Sequence, residues 1–301
     1  MIILVDAAIY ATILSILCVG LTLTYKITNV PNFAHTSFAI LGMYMALIVT
    51  KIFDANPYLA IPMAFVVSGA TSLFLYYFVL RILQKRTKSF LPLIVATLSF
   101  DIFMIGILNI LADTITSEFQ VISRDFTLRS HDILIFDMPA ILILSLAATA
   151  CLVLGLYYML YKTKFGIKMR CSIENTSLAQ IYCINTQRVF CVSWFLSGGL
   201  GGTAGVFLAV WFQGDPGLSV LLLPSVFAGS IVGGFTSIYG SIVGGLVIGF
   251  SEILVTDLLA RNFGYWIVSY RPIIPFLFII TTLLLWPRGL SEIIKKVQER
   301  I

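Results

Sequence analysis

The chain has 301 residues, 19 of them Lys or Arg and 14 Asp or Glu, with 59% hydrophobic residues and a mean hydropathy of +1.01. Charged residues make up 11%, against about 25% in soluble domains, and a water-soluble fold of this composition would expose more apolar surface than soluble monomers tolerate. These values exclude a soluble enzyme or a nucleic-acid module, and the formal charge of +5 matters by its placement rather than its sum.

The opening stretch MIILVDAAIYATILSILCVGLTLTYK sets Asp6 and no basic residue before an apolar run. That is not the pattern of a cleaved leader, and it reads as a retained first span. Crossing ~30 Å of hydrocarbon takes about 20 mostly apolar residues. On that rule spans are predicted at 7–25, 33–53, 58–80, 89–112, 139–161, 189–212, 220–235, 240–259 and 272–287. The seventh and ninth are short enough to be half-helices, so eight or nine crossings are expected. The spans lack the ~10-residue alternation of membrane β-barrels. The fold class is therefore all-α, a polytopic transmembrane helix bundle forming one domain over 1–301, with an external loop at 113–137 read as a small hairpin or cap.

Positive charges collect on cytoplasmic loops. With the N-terminus outside, inner segments hold Lys26; Arg81, Lys85, Arg86 and Lys88; Lys162, Lys164, Lys168, Arg170 and Arg188; and Arg288, Lys295, Lys296 and Arg300, fourteen of the nineteen basic residues. Outer segments hold Lys51, Arg124, Arg129, Arg261 and Arg271, beside the acids Asp113, Glu118, Asp125, Asp132 and Asp137. The C-terminus and the loop 162–188 are thereby placed in the cytoplasm.

Three features inside this apolar frame carry chemistry. Asn29-Val30-Pro31-Asn32-Phe33-Ala34-His35-Thr36-Ser37 interrupts two apolar runs, and a Pro disfavours helix at the residue before it. A turn at the inner membrane boundary is predicted, with Asn32, His35 and Ser37 capping helix ends or lining a constriction. Asp101, midway through the fourth span, and Glu252, two thirds through the eighth, are ionisable residues at a depth where charge is costly. Each is either a structural hydrogen-bonding group or part of a pathway. Glycines four apart in the second half (Gly201/Gly205, Gly229/Gly233, Gly240/Gly244 and Gly245/Gly249) permit close helix contact, as ordinary packing or as a pathway wall with broken helices.

In the loop 162–188, Glu174 to Tyr182 reads as a short helix with Leu178, Ile181 and Tyr182 on one face. Such a helix suits a lipid surface or a partner's groove. The five cysteines include no CxxC and the two histidines lie far apart, so no metal site, disulfide framework or cofactor site is readable. No GxxxxGK[ST] phosphate loop is present either.

Taken in order, these residues resemble the LivH-type permeases of branched-chain amino acid ABC importers, and more widely the amide, urea and sugar permeases related to them. Asn32-Phe33-Ala34-His35-Thr36, followed by Gly42-Met43-Tyr44, is similar to the family's Asn-Phe-Ala-His-Gly and Gly-x-Tyr motifs. Gly166, Arg170, Asn175, Ala179 and Ile184-Asn185 fall at the spacing of its cytoplasmic coupling loop, to which Glu174 also belongs. The Gly-rich stretch from Gly233 to Gly245, then Glu252, resembles its late glycine block, and Pro287-Arg288-Gly289-Leu290 its terminal Pro-x-Gly-Leu. Thr36 and Cys183 stand where the family has Gly. The resemblance implies a permease subunit, not itself an enzyme, working with a second LivM-like permease subunit, two cytosolic ATP-binding subunits and an external substrate-binding protein. It implies ATPase docking through the helix bearing Ala179; the candidates for a pathway or gate are Asn32, Phe33, His35, Asp101 and Glu252.

Two other classes fit the composition. An ion-coupled secondary transporter would need a midplane site, for which Asp101 is the candidate. An integral-membrane enzyme would need a cluster of acid, His or metal-binding groups near one face, and the sequence offers none.

Overall fold

The computed structural model describes residues 2–86, 89–135, 138–286 and 289–290. Lys88, Asp137, Pro287, Arg288, Lys295, Lys296 and Arg300, all used in the readings above, lie outside the described residues.

Among the described residues, six helices are long and apolar enough to cross a membrane: α1 (Ile2–Thr28), α3 (Pro57–Arg86), α4 (Leu91–Phe119), α5 (Ala140–Lys162), α8 (Thr186–Trp211) and α10 (Ile238–Phe263). Three more are shorter, α2 (His35–Lys51), α9 (Leu218–Gly233) and α11 (Ile273–Leu285), with 17, 16 and 13 residues. At 1.5 Å per residue these reach about 26, 24 and 20 Å, less than the ~30 Å of a hydrocarbon core. Two small helices, α6 (Lys164–Glu174) and α7 (Thr176–Ile181), join α5 to α8. The molecule is an all-α polytopic membrane bundle.

Its centre is α1, which is buried on nearly every face and packs most closely against α10 and α8. Glycine makes this possible, since a Cβ on Gly245 would meet the Ser15 backbone and one on Gly249 the Ala11 backbone. The long helices are apolar all round, as buried or lipid-facing helices are. Polar side chains also close several helix N-termini. Side chains of Thr163, Asn175, Asn185 and Ser237 accept hydrogen bonds from the backbone N–H of Gly166, Leu178, Arg188 and Gly240 at 3.0–3.1 Å, each satisfying a donor that the first turn leaves open.

One end of the bundle carries a cap. Residues 120–139 contain a short 3-10 turn at Arg129–His131 and a two-stranded hairpin, β1 (Leu134–Ile135) and β2 (Met138–Pro139). Leu128 N–H bonds to Ala209 C=O at 3.0 Å, Phe126 bridges to Gly214, and Arg129 stacks 3.9 Å over Trp211. The loop expected from residue 113 begins only after Phe119. Ala112 and Ile115 still bury a face of α4, and Gln120 stops the helix in the left-handed region (φ 53°).

A larger departure concerns depth. The turn expected at a membrane boundary lies instead inside the bundle. His35 Nε2 is 3.0 Å from the carbonyl oxygen of Leu17, eleven residues before the end of α1, or about 16 Å of helix. Segment 29–34 thus folds back from the end of α1, and α2 begins at mid-depth. The same arrangement recurs inverted at the other end. Segment 264–272 returns from the end of α10 so that Arg271 meets Glu252, again eleven residues before the helix end at Phe263, and α11 starts there. Arg271, counted above with the outer charges, is inside the bundle.

Candidate translocation site

The first return loop builds one polar centre. Asn32 and His35 are fully buried, and the turn between them is held by packing, with Phe33 stacked on Phe227 at 4.9 Å. Neither amide atom of Asn32, nor Thr36 Oγ1, has a hydrogen-bond partner among the described residues. Each such orphan costs about 1–3 kcal/mol, so the Asn32 and Thr36 side chains are not what fixes this turn. His35 is better held. Ser197 donates to Gly20 C=O at 2.7 Å and stands 3.5 Å from His35 Nδ1, while the Gly20 Cα faces the imidazole where a side chain would collide with it.

Asp101 belongs to this centre. Ser37 Oγ, in the first turn of α2, donates to Asp101 Oδ1 at 2.5 Å, and Asp101 is 6% exposed. The N-cap residue of α2, Ala34, offers no side-chain cap. The Asp101 side chain reaching across from α4 places an acceptor oxygen at the first turn of the uncapped helix.

The second return loop builds another centre, of a kind the linear sequence did not reveal. Arg271 Nε lies 2.6 Å from Glu252 Oε1, and its guanidinium sits 4.5 Å over the ring of Tyr10. Tyr10 Oη donates to both carboxylate oxygens at 3.2 and 3.1 Å. A cavity of about 420 Å³ opens beside the trio, with Met43, Leu208, Leu218 and Leu222 among its apolar walls. The two centres are separate: Asp101 and Glu252 do not share a partner among the described residues. Tyr10 and Arg271 escaped the sequence reading, because a tyrosine in a first span and an arginine before a Pro look like interfacial anchors.

The glycines act as backbone-to-backbone contacts. A Cβ at Gly205 would overlap the Ala39 carbonyl of α2, and one at Gly229, Gly233, Gly240 or Gly244 would collide within the α9–α10 hairpin or with Cys18. Gly201 is different, since a Cβ there meets only ordinary contacts at 3.5 Å. Gly42 against Gly202 is an additional close crossing of α2 on α8.

The loop 162–188 forms two helices broken at Asn175, whose side chain caps α7 and prevents the single helix from continuing. Gly166 lets α6 pass against the carbonyls of Met159 and Leu160, Arg170 stacks over Tyr161 at 5.0 Å, and Glu174 is exposed at the end of α6. Ala179 turns inward at 2% exposure, whereas Leu178, Ile181 and Tyr182 are 52%, 75% and 73% exposed. The exposed face of α7 is thus formed by those three residues, and Ala179 is on the packed side beneath. Cys183 has φ 57°, and the N–H groups of Cys183 and Ile184 bond to Gln180 and Ala179 C=O. This is the turn that ends a helix through a left-handed residue, which is where glycine serves best.

A bundle built on broken helices, whose return loops carry polar groups to mid-depth, is the architecture of a membrane transport protein. Over residues 3–283 the chain matches the family described as branched-chain amino acid transport system / permease component, and it belongs to that family. It is 40% identical over 299 residues to the probable branched-chain amino acid transport permease protein LivH of Methanocaldococcus jannaschii, covering 99% of this chain and 95% of that one. It is 21% identical to the high-affinity branched-chain amino acid transport system permease proteins BraD of Pseudomonas aeruginosa, covering 95% and 94%, and LivH of Escherichia coli K12, covering 92% and 90%. Among solved structures, a chain of PsaBC from Streptococcus pneumoniae in complex with Fab shares the fold, with a TM-score of 0.53 at 13% identity, covering 98% of this chain and 96% of that one.

Proposed function

We propose that this chain is the membrane-spanning permease subunit of an ATP-driven importer, moving a branched-chain amino acid or a related small polar solute such as an amide or urea. The observation that carries this reading is the 40% identity along nearly the whole length of a relative described as a branched-chain amino acid permease. In this reading the solute arrives from an external binding protein and passes beside a second LivM-like permease subunit. Two cytosolic ATP-binding subunits dock on the exposed Leu178, Ile181 and Tyr182 face. The basic residues gathered at the end that carries α6 and α7 support an outside N-terminus and a cytoplasmic C-terminus.

Mechanically, closure of the ATPases would push α6 and α7. The α5–α6 turn, closely packed at Gly166, would pass that push to α1 and α8. The two half-depth helices, α2 and α11, would then shift so that the pathway opens first outward and then inward.

The test is gentle purification of the tagged protein from its native membrane, comparing the parent with Ile181→Arg/Tyr182→Glu. These side chains are exposed, so their replacement leaves the bundle intact, which Ala179→Arg would not. An ATPase recovered with the parent and lost with the variant, together with ATP-dependent leucine uptake by the parent, is the expected result. A protein that arrives alone and transports without ATP, in response to an ion gradient, would overturn the reading in favour of a secondary carrier.

A further inference from the structure

The Arg271–Glu252 pair is lopsided. Glu252 is enclosed, with a side-chain exposure of 5%, while the Arg271 side chain is 27% exposed and forms part of the cavity wall. Tyr10 and Arg271 between them occupy the Glu252 oxygens. Of the Arg271 nitrogens, only Nε is hydrogen-bonded to the carboxylate, and with Tyr10 as its other neighbour the five-donor guanidinium keeps N–H groups for a further acceptor. A purely structural staple would need neither the open side nor the hollow. Here a cation is held in place from behind, by a carboxylate and an aromatic face, and presented to an apolar chamber.

We propose that this cavity is a subsite that receives a free aliphatic α-amino acid, with Arg271 binding its carboxylate and the wall of Met43, Leu208, Leu218 and Leu222 taking its side chain. The inference rests on the transport reading above and names the residue that reads the solute. Three features match the chemistry. A guanidinium fork fits a carboxylate in the bidentate geometry that a lysine ammonium cannot reproduce. The cavity of about 420 Å³ is in the range that small ligands fill, with apolar walls and few oriented polar groups. Glu252 and Tyr10 fix the guanidinium beforehand, so little ordering is left for the moment of binding.

The experiment uses the full assembly in membranes and Ser269→Cys, a conservative change at an exposed residue on the cavity wall. Modification of that cysteine by a maleimide is followed by mass spectrometry of its peptide, with free L-leucine, leucinamide or glycine present and no binding protein. Leucine slows the modification. Leucinamide, which lacks the carboxylate, and glycine, which lacks the aliphatic chain, protect about tenfold less.

Arg271→Lys retains a charge for Glu252 and also weakens leucine protection by about tenfold. Leu222→Phe fills the hollow without touching the ion pair and does the same, so the result survives if the lysine variant fails to assemble. Equal protection by leucine and leucinamide, protection unchanged in the assembled variants, or a cysteine that is never modified would each overturn the proposal. The labelling needs no nucleotide. Absence of ATP-driven uptake in the parent would count against the importer reading separately, without altering what protection by leucine says about the cavity.

Discussion

Arg271 and Glu252, 19 residues apart on the two arms of a return loop, meet at 2.6 Å inside the bundle. The pair fixes where α11 begins, because the chain must come back along α10 to bring Arg271 to Glu252. The first return loop does the same with a neutral bond, His35 to the Leu17 carbonyl. Both loops travel eleven residues back along the preceding long helix.

Removing one partner of a buried ion pair leaves the other uncompensated, whereas removing both can be nearly neutral. Glu252→Gln is therefore expected to lower stability by about 3–5 kcal/mol, and Glu252→Met/Arg271→Met to recover most of that loss. Thermal unfolding in detergent, followed by size-exclusion chromatography, reads both. An unchanged unfolding temperature for Glu252→Gln would show that the pair does not hold the loop.

For Asp101 the bond to Ser37 is the measurable quantity. A double-mutant cycle of Ser37→Ala and Asp101→Ala should give a coupling of about 1–2 kcal/mol, within the range for hydrogen bonds to charged groups and near the upper values found between membrane helices. Asp101→Asn, which still accepts from Ser37, should cost less than Asp101→Ala. A coupling near zero would mean that the carboxylate acts elsewhere.

Two glycines four residues apart separate close approach from mere composition. Gly205→Ala drives a Cβ into the Ala39 carbonyl, a backbone atom that cannot swing away, and should cost about 1–3 kcal/mol. Gly201→Ala meets only ordinary contacts and should stay within about 0.5 kcal/mol. Equal unfolding temperatures for the two variants would contradict the α2–α8 crossing described above.

At the end of α7, Cys183 occupies the left-handed region at φ 57°, which costs a residue with a Cβ about 1–2 kcal/mol. Cys183→Gly should therefore stabilise the turn by about 1 kcal/mol. Hydrogen exchange at the Ile184 amide, bonded to Ala179 C=O at 3.0 Å, should slow about fivefold. Faster exchange would show that the cysteine side chain itself anchors the turn.

Much of the fold was legible because the signals are local. Apolar runs from Ile9 to Leu23 or Ile141 to Leu156 declare membrane helices by residue identity alone, since the transfer free energy of a side chain does not wait for its neighbours. The break at Asn29–Ser37 was visible from Pro31 and the polar cluster. Its depth was not, because a turn at the surface and one folded back beside α1 have the same composition. Similarly, Leu178, Ile181 and Tyr182 declared a face by their spacing, yet only packing showed that Ala179 belongs to the other one.

The sequence by itself determined the class, an all-α membrane bundle, and the order of motifs that places it among permeases. These depend on hydropathy and on short spacings along one chain. The tertiary structure decided where the charges sit. Whether Arg271 is a surface anchor or the partner of Glu252, and whether Asp101 stands alone or beside Ser37, turns on contacts between helices remote in sequence. Electrostatic and hydrogen-bond energies fall off over a few ångströms, so those roles exist only once the return loops and the close glycine crossings have brought the groups together.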